Sequence, residues 1–293
     1  MILEQRGSNM RKKIRDLSII GLIYFEAYAL GYAGCFFVED ILWKCFVFDG
    51  IATVVTFFFS VILVNSSVYD AYWSLTPMVI SLCLFAGNKA FSFYQILFLI
   101  VFNLWSVRLT VNWMTVFTDF SYEDWRYRKY REETKPVFWP VVNFFGIHFM
   151  PTVIVFGGML PLFEIVRHPL GAGSVPGILV MMCGIALEFF ADRQMHAFLK
   201  TGTFGQVCEN GLWKYSRHPN YLGEITVWLG VYLTMLPYAW AKWYYGIGFL
   251  CVGIMFLVIS IPLMEKRQKA RRPEYTRYCQ ETHRLLLLPR KHV

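Results

Sequence analysis

Apolar runs about as long as a bilayer is thick recur along this chain, and they restrict its fold more than any other feature. A helix needs roughly 20 mostly apolar residues to cross the hydrocarbon core. Runs of this kind lie at about 17–38, 45–64, 74–86, 91–113, 140–163, 174–191, 220–238 and 243–264, the third being short for a span. Composition agrees, because 56% hydrophobic residues and 18% aromatics exceed the apolar share of an ordinary soluble domain. The expected fold is all-α, a polytopic membrane helical bundle of about eight spans. No run is followed by a soluble stretch of useful size, so residues 1–293 read as one membrane domain with loops and a polar tail.

Orientation follows from where lysine and arginine fall. With the N-terminus cytoplasmic, residues 1–16, 114–139, 192–219 and 265–293 carry five, five, four and nine of them, 23 in all, against Lys44, Lys89, Arg167 and Lys242 outside. The positive-inside rule therefore places both termini in the cytoplasm. The net charge of +8 reflects topology and anionic headgroups in a bilayer partner. A nucleic-acid partner is excluded as a reading, since the cations are spread over loops and match no base-reading motif. Seven cysteines show no C-x-x-C and no metal spacing. Arg11 to Cys35 superficially looks like a lipoprotein signal, but Glu26 interrupts its apolar run and a retained first span is expected.

The most informative stretch is Lys214-Tyr215-Ser216-Arg217-His218-Pro219-Asn220-Tyr221-Leu222-Gly223-Glu224. Pro219 suits the first position of a helix, where its missing N–H has no partner to lose. The first amides of that helix, with Arg217 and His218, make a cationic corner suited to phosphate. Asn220 and Glu224 are four residues apart on one face, and Trp228 continues it. A carboxylate that deep in an apolar helix marks a site by default. Arg167-His168-Pro169 repeats the tripeptide without the following Asn-Tyr-x-Gly-Glu, so the longer string carries the information.

Other polar residues lie within or beside the spans. Glu26 sits mid-way along the first. Asp70 lies where the second span returns to the cytoplasmic side, with Arg108 at compatible depth as its expected partner. Residues 121–131 alternate charges with aromatics and predict an interfacial helix or a cofactor-facing segment. Glu188, Asp192 and His196 share a stripe suited to hydrogen bonding with a polar ligand. No metal site is expected, because the six histidines have no metal-ligand spacing. Gly202, Gly205 and Gly211 turn the loop back toward the key helix, and no nucleotide-binding glycine fingerprint is present. The basic tail from Glu265 to Tyr278 suits anionic lipid, and Leu285 to Leu288 form an apolar patch that folds back onto protein or membrane.

Tyr215 to Glu224, after Gly211-Leu212-Trp213, resembles the signature of the steroid 5-alpha-reductase and sterol-reductase superfamily. Asp70-Ala71-Tyr72-Trp73, Trp105 with Arg108-Leu109, Glu123 to Tyr127, and Glu265 to Tyr278 are similar to its 5-alpha-reductase-like membrane branch, and the likeness covers about residues 65–289. The resemblance implies NADPH bound from the cytoplasmic side and reduction of a carbon–carbon double bond in an apolar, steroid- or lipid-like small molecule. It implies cofactor contacts at Asp192, Tyr215, Asn220, Glu224, Arg267 and Tyr278, with Arg217 and His218 beside them. It implies residence in a bacterial inner membrane or the endoplasmic reticulum. This chain departs from the steroid-acting relatives in having Glu188 where they carry asparagine, and no motif locates their catalytic Glu–Tyr pair.

Hydride transfer to the β-carbon of an enone needs an acid at the carbonyl oxygen, and Tyr72, Asp70 and Glu26 are the candidates. Two other functions fit the same pattern. Isoprenylcysteine carboxyl methyltransferases share the Arg-His-Pro-x-Tyr core and use S-adenosylmethionine, and a non-catalytic lipid-binding protein could keep the fold. Asn220 and Glu224 favour the reductase, because together they can hold both the N–H and C=O of a nicotinamide carboxamide.

Overall fold

The computed structural model describes residues 2–87, 90–201 and 205–291; Gly202 lies outside them. Every extended element described is a helix, and the one β-type contact is an isolated bridge between Ser216 and His283. The chain order is α1 (Ile2–Gly34), α2 (Ile41–Ile62), α3 (Tyr72–Ala86), α4 (Phe93–Val116), α5 (Trp125–Glu133), α6 (Trp139–Val142), α7 (Met150–Arg167), α8 (Val175–Thr201), α9 (Pro219–Met235), α10 (Ile247–Met255), α11 (Ile261–Arg271) and α12 (Tyr275–Glu281). Seven stretches are long and apolar enough to cross a membrane, so this is a multi-pass membrane protein.

Four of those stretches differ from the sequence runs for local reasons. A 3₁₀ turn over Ser66–Tyr69 leads into α3 and lengthens the short third run to Ser66–Ala86. The fifth, Trp139–Arg167, joins α6 to α7 through a π-helical segment, Asn143–Phe149. The sixth extends to Thr201, and the last continues through α10 and α11 to Arg271. The expected span at 220–238 is α9, whose 17 residues fall just short of the usual crossing length.

The chain divides into two compact units, with boundaries inside α4 and α7. The first comprises Met1–Gly87 and Ser106–Phe156. In it α1 buries Ile20, Ile23, Tyr24 and Ala27, the i, i+3, i+4, i+7 pattern of one helical face, against Ala52, Val68, Tyr69, Ala71, Tyr72 and Phe117. The Asp40 carboxylate caps α2 by accepting from the Leu42 and Trp43 amides. Segment 114–139 contains the helix α5 and folds over the Asn65–Asp70 turn. There Asn65 Nδ2 donates to the carbonyls of Phe120 and Tyr122, and Glu123 accepts from the Ser66 amide and from Arg131.

That fold adds a partner to one expected site residue. Asp70 accepts from the Tyr127 hydroxyl at 2.7 Å, a partner that α5 brings to the carboxylate and that the spacing of the spans does not suggest. The phenol sits in a buried setting that raises its pKa well above the ordinary tyrosine value, so it stays a donor.

The second unit comprises Asn88–Trp105 and Gly157–Val293. Its centre is the antiparallel pair α8 and α9. Their backbones meet where Gly184 and Gly223 face each other: a Cβ on Gly223 would lie 2.4 Å from Glu188 Cγ and 2.8 Å from the Gly184 carbonyl oxygen, so only glycine fits. The C-terminal segment then wraps the Trp213–Arg217 stretch. Ser216 Oγ donates to the Leu285 carbonyl and the Arg217 amide to that of His283. Leu286 and Leu288 stay exposed beside this contact.

Candidate functional site

Helix α9 begins at Pro219, with His218 at the N-cap position. The corner around it is more tightly internal than the sequence implies. Arg217, 7% exposed, places Nε 2.8 Å from Glu265 Oε1 and donates through one terminal nitrogen to the carbonyls of Cys279 and Thr282. His218 is buried, holds the same carboxylate oxygen at 3.2 Å and stacks on Tyr221, which stacks on Phe256. Burial lowers the His218 pKa, partly opposed by its bond to Glu265, so the ring is neutral at physiological pH. Tyr278 is buried, donates to the carbonyls of Trp213 and Ser216, and is pushed above the ordinary tyrosine range by burial. These three residues clamp α9 to the C-terminal segment.

Glu224 is also committed. It is 4% exposed, and its two oxygens accept the indole N–H groups of Trp228 at 2.8 Å and Trp105 at 3.0 Å. The two indoles meet edge to face, 5.0 Å apart.

The remaining residues of the expected cofactor set are more open. Asn220 is half-buried, and no hydrogen bond to its amide is described. Asp192 and Arg267 are half-buried and Tyr215 is exposed beside the Lys214 ammonium. Asp192 follows Glu188 by one turn on α8, and Glu188 packs on Gly223, so Asp192 and the start of α9 share one end of the helix pair. That end is fixed by the Trp213 indole, which donates to the Ala191 carbonyl, and by Gln194, which accepts from the Leu212 amide.

The expected acids belong to the first unit and separate clearly. Glu26 is exposed on α1 and stands apart from the buried tyrosines. Asp70 is bonded to Tyr127. Tyr72 is 1% exposed, with its hydroxyl 2.8 Å from Asp49 Oδ1 and 2.9 Å from the Asp49 carbonyl oxygen. Thr53 Oγ1 donates to the same phenol at 3.2 Å. The chain continues from Thr53 to Thr152 at 2.9 Å and from Thr152 to the Tyr69 hydroxyl at 2.7 Å, all within a buried cluster of Tyr24, Tyr28, Tyr69 and Tyr72 rings.

Asp49 escaped the reading of the sequence. The signal was available: a carboxylate in the apolar run Cys45-Phe46-Val47-Phe48-Asp49-Gly50-Ile51 is costly in a membrane and needs a partner inside the protein.

A family model described as "Protein of unknown function (DUF1295)" matches residues 56–282. The chain belongs to that family. The match begins after Asp49 and includes Tyr72, the α8–α9 pair and the α12 clamp. A similar protein is an uncharacterised protein of Schizosaccharomyces pombe, 26% identical over 58% of this chain and 57% of the relative. This chain thus spans little more than half the length of that relative. No solved structure matches it significantly.

Proposed function

We propose that this member of the DUF1295 family is an NADPH-dependent membrane reductase of the steroid 5-alpha-reductase-like kind, acting on a carbon–carbon double bond conjugated to a carbonyl in an apolar small molecule. The observation that carries this reading is Tyr72, a phenol buried within a span and hydrogen-bonded to a carboxyl group. Reducing an enone places negative charge on its carbonyl oxygen, and a preorganised donor in a dry site stabilises that charge far better than water would. The Tyr72 O–H donates to Asp49 while Thr53 donates to the phenol oxygen, so a substrate carbonyl would take the O–H over from Asp49. Asp49, in contact with the same oxygen, is placed to exchange a proton with it.

NADPH, when bound, would supply the hydride. The half-exposed groups of the second unit suit it chemically. The Asn220 amide offers a donor and an acceptor that match a carboxamide, Asp192 and Tyr215 suit ribose hydroxyls, and Arg267 suits phosphate. Arg217, His218, Glu224 and Tyr278 would support these groups through the clamp and the indole pair described above.

The test is transfer of label. Purified protein in vesicles is incubated with a membrane lipid extract and NADPH deuterated at the transferring position. Deuterium in a saturated C–H of an apolar product is expected, with Tyr72→Phe slower by about 10²-fold. Transfer of a labelled methyl group from S-adenosylmethionine instead would favour the methyltransferase reading and overturn this one.

A further inference from the structure

Thr152 has more hydrogen-bond partners than its one hydrogen can serve. Its hydroxyl oxygen lies 2.9 Å from the His148 carbonyl oxygen, 2.9 Å from Thr53 Oγ1 and 2.7 Å from the Tyr69 hydroxyl, and Thr53 Oγ1 lies 3.2 Å from the Tyr72 oxygen. All of these residues are buried. A carbonyl only accepts, and the Tyr72 hydrogen is given to Asp49, so Tyr69, Thr152 and Thr53, with one hydrogen each, must fill four contacts. One contact is always empty.

The Tyr69 hydroxyl has no other acceptor among the described residues, so it donates to Thr152 and the choice falls to the two threonines. In one arrangement Thr152 donates to the His148 carbonyl and Thr53 to Thr152, and the Tyr72 oxygen receives no hydrogen from the row. In the other, Thr152 donates to Thr53 and Thr53 to Tyr72. The two differ only by rotation of two hydroxyl hydrogens, with no heavy atom moved. We propose that Thr152 is a positioning residue for Tyr72: by turning its hydrogen from the His148 carbonyl to Thr53, it commits the Thr53 hydrogen to the Tyr72 oxygen as negative charge builds there. The role rests on Tyr72 being the acid of the proposed reduction. When the Tyr72 proton passes to the carbonyl oxygen of the enone, the phenol O–H bond breaks, an O–H bond forms on the product and a phenolate is left beside Thr53. That charge selects the second arrangement, because a hydrogen bond to an ionised oxygen is roughly twice as strong as a neutral one. Thr53 then donates with Thr152 and Tyr69 behind it, and bonds in such a row polarise one another.

The test needs no substrate. Tyr72 is replaced by a fluorotyrosine in the full-length protein, and ionisation of that phenol is followed against pH by fluorine NMR in detergent micelles. The titratable groups around the ring are Asp49 on α2, Tyr24 and Tyr28 on α1, and Tyr69 before α3 with His148 behind it; they are the same in every variant compared. Thr53→Val should lower the ionisation constant by about ten-fold. Thr152→Val, which leaves the Thr53–Tyr72 contact in place, should lower it by about two- to three-fold, and Thr152→Ser, which keeps the hydroxyl, should match the parent. Thr56→Val, whose hydroxyl bonds the Ala52 carbonyl outside the row, should match it too. Melting curves identify folded variants, and Thr152→Ala replaces Thr152→Val if the latter is unfolded. A Thr152 variant without the hydroxyl that ionises like the parent, a Thr152→Ser protein that fails to restore the parent value, or a fluorophenol that ionises in none of the proteins overturns the proposal. A protein that shows the expected series yet transfers no deuterium from NADPH keeps the hydroxyl row and loses the reductase reading.

Discussion

Glu224 accepts the indole N–H of Trp105 at 3.0 Å, joining α4 to α9 across 119 residues of sequence. Its second oxygen serves Trp228, so the carboxylate that the sequence marks as a ligand contact is the acceptor at the centre of a buried aromatic pair. Replacing it strands two buried N–H donors, each costing about 1–3 kcal/mol. Glu224→Ala should therefore lower stability by several kcal/mol. Trp105→Phe in the same background should add much less than it does alone, because its N–H has already lost its acceptor. Denaturant titration of the four proteins of this cycle checks it, and strict additivity would show that the bond is absent.

Arg217 and Glu265 form a second buried unit. Removing one partner leaves an uncompensated charge and should cost roughly 3–5 kcal/mol, with the double replacement Arg217→Met and Glu265→Met costing less than the sum. The sequence alone predicts a different outcome for Arg217, namely a folded protein with weakened, salt-sensitive phosphate binding. A well-folded Arg217→Ala protein would return the guanidinium to the ligand.

His218 supplies a pH signature with a definite sign. Burial depresses its folded pKa, so on acidification the unfolded chain takes up the proton first. Its contribution is complete above the unfolded value of about 6.5 and is lost as pH falls through that value toward the folded one. The melting temperature should fall over this window by more in the parent than in His218→Gln. Equal slopes would mean that the ring is not held neutral.

The helical membrane architecture was legible because bilayer thickness fixes the length of an apolar run, and the start of α9 because proline restricts φ. The fate of Arg217 was not, because its partners lie 48 to 65 residues later, in a tail whose own charges read as lipid contacts. Asp70 illustrates the same limit. Depth suggested an arginine on another span, yet the short helix α5 supplied Tyr127. Asp49 was hidden differently, since a lone aspartate carries no motif until Tyr72 is placed against it.

The Asp70–Tyr127 bond leads to its own test. Tyr127→Phe should cost about 0.5–1.5 kcal/mol, the range for a typical intramolecular hydrogen bond, and Asp70→Asn should reduce that cost. Replacing Arg108 should combine additively with Asp70→Asn; coupling between those two would restore the pairing expected from the sequence.

Ligand choice bears most directly on the reductase assignment. Equilibrium binding of NADPH and of S-adenosylmethionine is measured on the detergent-solubilised parent and on Asn220→Ala, a change at a half-buried side chain that should leave the melting curve unmoved. The predicted result is NADPH binding to the parent, about ten-fold weaker in Asn220→Ala for the loss of a paired amide, with no competition from S-adenosylmethionine. Binding of S-adenosylmethionine in place of NADPH, or of neither, would contradict it.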